Sequence, residues 1–153
     1  MIKVYDFTGT RIMTEFAGQD LYRLTNYVIV YVYTNEGKLR YDIKPGFPTN
    51  MRSGSHCIDW LIPKFTGNNR YNLALLCHDF AYTKMKDGNN PLSRELADEI
   101  LRQMVIISDE LGSVRAGIMH KALRIGGGSA YECENTGDYA GAENFMSFYW
   151  DAK

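Results

Sequence analysis

The residues of this 153-residue chain best placed to do chemistry are His78, Asp79 and Tyr82, in the stretch Leu73-Ala74-Leu75-Leu76-Cys77-His78-Asp79-Phe80-Ala81-Tyr82. At about 100° per residue, Tyr71, Ala74, Leu75, His78 and Tyr82 share one helix face, and Asp79 lies a quarter turn away. His78 and Tyr82, four apart, stack along that face. A His-Asp pair within an apolar run must be solvated or partnered, because burying it bare is costly. That makes it a candidate site for acid–base work. The bland alternative is a core histidine satisfied by a backbone carbonyl or by Tyr82.

Other chemistry-bearing residues are more scattered. His56 and Cys57 could join His78 or Asp79 around a transition metal, while His120 falls on a third element and nothing in the spacing fixes convergence. Cys57, Cys77 and Cys133 are odd in number and widely spaced, a pattern expected of unpaired thiols in a reducing compartment. Gly126-Gly127-Gly128 lacks a following Lys-Ser/Thr and reads as a helix stop, not a phosphate loop.

The totals expect one domain with a real core: 45% of residues are apolar and 23% charged. A net charge of −1 offers no overall basic field to hold nucleic acid. No run approaches the length of a membrane-spanning segment, and residues 1–10 have no signal-peptide-like apolar stretch. Charge is uneven: residues 126–153 hold five acids (Glu132, Glu134, Asp138, Glu143, Asp151) against Lys153.

The elements that must position the His-Asp pair give an α+β class: an N-terminal antiparallel hairpin or small sheet, a long loop, and a three-helix C-terminal half. Residues 11–16 are a short candidate strand. Thr25 to Thr34 alternates Tyr27, Ile29, Tyr31 and Tyr33 with Val28, Val30 and Val32, so both faces are expected to be covered. Asn35-Glu36-Gly37 turns the chain into a partner strand over 38–43. Pro and Gly interrupt residues 45–69, a loop length often tied to function, which Trp60, Leu61 and Ile62 are expected to pin to the core. Helices are predicted over 72–85, from a Ser93 cap to about 110, and over 114–125. The second carries an apolar stripe of Leu96, Ile100, Met104, Ile107 and Leu111. A single domain over 1–125 is then followed by a Gly-rich, acidic, aromatic tail over 126–153. Its Phe145 to Trp150 segment is either a strap on the domain or a partner-binding segment.

Two resemblances follow from these motifs. Pro45-Gly46-Phe47-Pro48-Thr49-Asn50, Ser53 and Ser55, Trp60-Leu61-Ile62-Pro63, the His78 helix, Ser93-Arg94 and Ala97-Asp98 come in an order covering about residues 25–126. That order resembles an uncharacterised family of small phage and prophage proteins, catalogued as a domain of unknown function. In that pattern Asp usually stands where this chain has Asn50. The resemblance implies a bacteriophage source, a place in the virion or the host cytoplasm, and other phage structural proteins or a host protein as partners of the 145–150 segment.

More locally, over about 72–103, His78-Asp79-x-x-Tyr82, Asn90-Pro91 and Ala97-Asp98 resemble phospholipase A2, especially the viral capsid-borne type. That likeness implies a hydrolase with His78 as general base to water, Asp98 orienting it, Tyr82 as a supporting hydroxyl and Asp79 as a calcium ligand. The glycine nearest upstream of the helix, Gly67 in Phe65-Thr66-Gly67-Asn68-Asn69, does not match the calcium loop of those enzymes. By the wheel Asp98 lies about 140° from the centre of its helix's apolar stripe, on a shoulder. Two classes stay open: a phage hydrolase, and a non-catalytic virion or host-interaction protein in which His78 and Asp79 are structural.

Overall fold

A computed structural model describes residues 1–51 and 66–153. The element order is β1 (Val4–Gly9), β2 (Thr14–Gly18), β3 (Leu21–Leu24), β4 (Val28–Thr34), β5 (Gly37–Ile43), β6 (Pro48–Thr49), α1 (Asn69–Tyr82), α2 (Arg94–Ile107), α3 (Ser113–Gly126), α4 (Gly128–Glu132) and β7 (Met146–Ala152). This is the α+β class expected from the sequence. The expectations placed on Ser53, Ser55, His56, Cys57 and Trp60–Ile62 lie outside the described residues.

The antiparallel hairpin of β4 and β5 runs from Val28 opposite Ile43 to Thr34 opposite Gly37. Strict alternation makes it: Val28, Val30, Val32, Leu39 and Ile43 are wholly buried, while Tyr33 is 40% exposed on the other face. The tyrosine face is therefore open rather than covered, as Tyr and basic residues together tolerate water; Lys38 lies 5.1 Å from the Tyr31 ring centre. β1 pairs with β4 and β7 with β5, completing an antiparallel sheet in the order β1-β4-β5-β7. The 126–153 stretch thus supplies the sheet's fourth strand, because Phe148 turns inward onto the Tyr41 ring at 5.2 Å. Gly37 permits this pairing: a Cβ there would run into the Asp151 carbonyl. A smaller sheet, β2-β3-β6, stands beside it.

α1 is buried on ten of its 14 residues, so it is the central helix rather than an amphipathic surface one. Phe80 packs edge-on against Tyr41 of the sheet at 5.2 Å, and α1 also packs on α2, which packs on α3. The Asn68 side chain caps α1 by accepting from the Arg70 and Tyr71 amides. Its amide also donates to the Ser108 carbonyl at 2.8 Å, joining the start of α1 to the end of α2. α1 ends at Tyr82, three residues short of the expected 85. The Lys84 amide donates instead to Asn135 Oδ1, at 3.0 Å, which draws the chain away from the helix axis.

Ser93 caps α2 as expected, accepting from Leu96 at 3.3 Å. The buried arc of α2, however, holds Ala97, Asp98, Ile100, Leu101, Met104 and Val105, with Leu96 and Ile107 at its margins. Being held between α1 and α3, the helix buries a wider arc than one stripe, and Asp98 falls within it.

Candidate functional site

The site grows from α1. The four-residue spacing brings the rings of His78 and Tyr82 together, 4.2 Å between centres. Both reach across to α2, where Asp98 is wholly buried. Asp98 Oδ1 lies 3.1 Å from His78 Nε2 and accepts from the Tyr82 hydroxyl at 2.5 Å. Its other oxygen accepts from Arg124 of α3 at 3.3 Å, and Arg94, one turn back on α2, stands 3.9 Å away. Burial alone would raise the pKa of Asp98, but hydrogen bonds from His78 and Tyr82 and the Arg124 guanidinium outweigh it and hold the group below the ordinary carboxylate value. An ionised Asp98 requires a donor at His78 Nε2, which sets the tautomer of a neutral imidazole. Burial and the neighbouring Asp98 push the Tyr82 phenol well up, so it stays protonated.

His78 also lines a cleft of about 360 Å³, together with Asp79, Asn50, Leu123, Asn135 and Tyr139. The turn after α3 leaves room for it: a Cβ on Gly127 would stand 3.0 Å from the Tyr82 hydroxyl and 2.8 Å from the Leu123 carbonyl. Arg94 fastens that turn by donating to the Leu123 and Arg124 carbonyls at 2.6 and 2.8 Å. Asn135 closes the far side, exchanging two hydrogen bonds with the Lys84 backbone.

Asp79 borders the same cleft, but its carboxylate is engaged elsewhere. Its Oδ2 accepts a short hydrogen bond from the Thr49 hydroxyl and one of 3.2 Å from the Met51 amide. Burial lifts its pKa to about 6, against the opposing pull of Thr49, the nearby His78 and the Met51 amide. Calcium takes about six to eight oxygen ligands. Among the described residues no three His, Cys, Asp or Glu side chains are grouped to hold a metal. Among the described residues, one carboxylate already engaged by Thr49 and by the Asn50 and Met51 backbone does not fit that ion.

Of the residues singled out in the sequence, His78, Tyr82 and Asp98 are thus brought together, and Asp79 stands beside them with partners of its own. His120 lies apart, 3.7 Å from Glu99. Cys77 is buried and Cys133 exposed, both as free thiols, and Cys133 lines the cleft. Sequence reasoning missed the supporting roles of Arg94, Arg124, Thr49 and Asn135. Arg94, four residues before Asp98, was the one with a readable signal.

Fold and site together define an α+β domain in which a buried His-Asp-Tyr network adjoins a cleft of mixed polar and apolar lining. The chain belongs to the family described as Protein of unknown function (DUF1353), which matches residues 25–123. No curated protein and no solved structure matches it significantly.

Proposed function

We propose that this is a hydrolase-like bacteriophage protein in which His78 is general base to a water molecule and Asp98 fixes its tautomer. The observation that carries the reading is that His78, whose Nε2 lies 3.1 Å from a wholly buried carboxylate, is among the residues lining the cleft. Water in the cleft beside His78 gives up a proton to the imidazole as its oxygen attacks a carboxylic ester carbonyl. The imidazolium formed is stabilised by Asp98 and returns the proton to the departing alkoxide. Tyr82, its hydroxyl held by Asp98, supports the network rather than transferring a proton. Arg94 and Arg124 offset the charge of the buried carboxylate.

The test is hydrolysis of short-chain 4-nitrophenyl esters and of phosphatidylcholine vesicles by the wild-type protein and His78→Gln. A general base contributes about 10²–10⁴-fold, so wild type should outpace the variant by that factor on at least one probe. Equal rates on every probe would count against the reading.

One observation favours the second reading, a non-catalytic virion or host-interaction protein: Asp98 gathers partners from α1, α2 and α3, as a purely structural tie between helices also would. On that reading His78→Ala costs about 1–3 kcal/mol by orphaning its partner and removes no activity. The order of motifs from Pro45 to Asp98 supports a phage or prophage source for either reading, with the virion or the host cytoplasm as its setting.

A further inference from the structure

Asp79 has a task that the His-Asp-x-x-Tyr pattern does not announce. The strand β6 ends at Thr49, whose register partner is Tyr22, so the ladder sets the course of the backbone no further. Beyond it the chain makes a hook. Thr49 and Met51 are wholly buried, and Met51 adopts φ 49°, a left-handed conformation that non-glycine residues rarely take. Hydrogen bonds to Asp79 hold the hook closed: the Met51 amide donates to Asp79 and, at 3.0 Å, to the Thr49 hydroxyl oxygen, that hydroxyl donates to Asp79, and the Asn50 backbone bonds to Asp79 as well. Asn50, between them, lines the cleft together with His78.

We propose that Asp79 is a positioning residue that holds Asn50 in the cleft as a substrate-binding amide, and that it does not ligate a divalent cation. A cation at Oδ2 would face the positive ends of the Thr49 and Met51 dipoles. Displacing them would leave the buried Thr49 hydroxyl without its acceptor, which is unfavourable. The role of Asn50 rests on the hydrolase reading; the exclusion of the cation does not.

The experiment combines calcium titration by calorimetry, amide hydrogen exchange at Met51 and steady-state ester kinetics, on wild type, Asp79→Asn, Asp79→Ala and Asn50→Ala. No saturable calcium binding is expected. Asp79→Asn keeps an acceptor oxygen and should preserve Met51 protection, whereas Asp79→Ala should speed exchange there about tenfold or more. Asp79→Ala and Asn50→Ala should each raise KM about tenfold, the loss of one hydrogen bond, with kcat changed by less than about threefold. Asp79→Asn should stay within about threefold of wild type in both constants. Saturable calcium binding that Asp79→Asn removes would overturn the assignment, as would Met51 exchange indifferent to Asp79→Ala. So would a fall in kcat at constant KM for Asp79→Asn. A wild type that hydrolyses no ester would defeat the hydrolase reading and the role of Asn50 with it, while titration and exchange still decide what Asp79 does.

Discussion

Replacing Asp98 by Ala should be among the most damaging single changes in the chain. The side chain is wholly buried, and its two oxygens serve His78, Tyr82, Arg124 and, more distantly, Arg94. Its removal leaves the His78 N–H and the Tyr82 hydroxyl without their acceptor and strands the two guanidinium groups. The arginines are 23% and 39% exposed and regain part of their solvation, which limits their share. Removing one partner of a buried charged network costs about 3–5 kcal/mol. For a domain of this size about 2–4 °C of melting temperature goes with each kcal/mol, so Asp98→Ala should melt about 10 °C below wild type. Asp98→Asn keeps one acceptor oxygen for His78 and Tyr82 but offers Arg124 an N–H, and should lose about half as much.

Circular dichroism melts at pH 7 measure both, with Asp6→Asn as a control. Asp6 is 55% exposed and pairs with Arg70, a contact worth less than about 1 kcal/mol. Because the folded-state pKa of Asp98 is depressed, its stabilisation is complete above the unfolded carboxylate value and disappears as pH falls through the lower folded value. The gap between wild type and Asp98→Asn should therefore shrink in acid. An Asp98→Ala protein melting within about 1 °C of wild type at pH 7 would refute the network.

Two further outcomes are expected. Asp79 has a pKa raised to about 6, so its ionised form destabilises the fold above that pH; lifting a carboxylate from 3.8 to about 6 corresponds to at most about 3 kcal/mol. Asp79→Asn should accordingly melt higher than wild type at pH 7.5, with the advantage fading toward pH 4 as the native carboxyl protonates; a variant less stable at both values would contradict this. Iodoacetamide should alkylate the exposed Cys133 in the native protein and reach the buried Cys77, whose thiol burial pushes well up, on unfolding alone. Peptide mass mapping with and without denaturant distinguishes the two, and native labelling of Cys77 would contradict the packing of α1.

Legibility followed the physics of each segment. The β4–β5 hairpin was readable because one face is buried and the other open, which imposes a period of two on the sequence. β1 was not: a register shift between Val4 and Asp6 breaks its alternation, burying Val4 and Phe7 three apart. β7 alternates Met146, Phe148 and Trp150 with Ser147, Tyr149 and Asp151, but its aromatics and acids read equally as a tail. At the site, His78 and Tyr82 were legible because a helix brings residues four apart together. Asp98, twenty residues beyond His78 and off the narrow stripe, was placed by resemblance to phospholipase A2 alone. Arg124 and Asn135 act from other elements through tertiary contacts, for which sequence spacing carries no signal. The Thr49–Asp79 bond likewise joins residues thirty apart.

The central claim is that His78 and Asp98 act as one unit on water at the cleft. The direct measurement is a double-mutant cycle on kcat/KM for the best ester probe, using His78→Gln, Asp98→Asn and the combined protein, each checked for folding. If Asp98 works through His78, its loss costs nothing more once His78 is gone, and the double variant should hydrolyse the ester as fast as His78→Gln within about twofold. Additive losses, or a His78→Gln protein as active as wild type, would contradict the account.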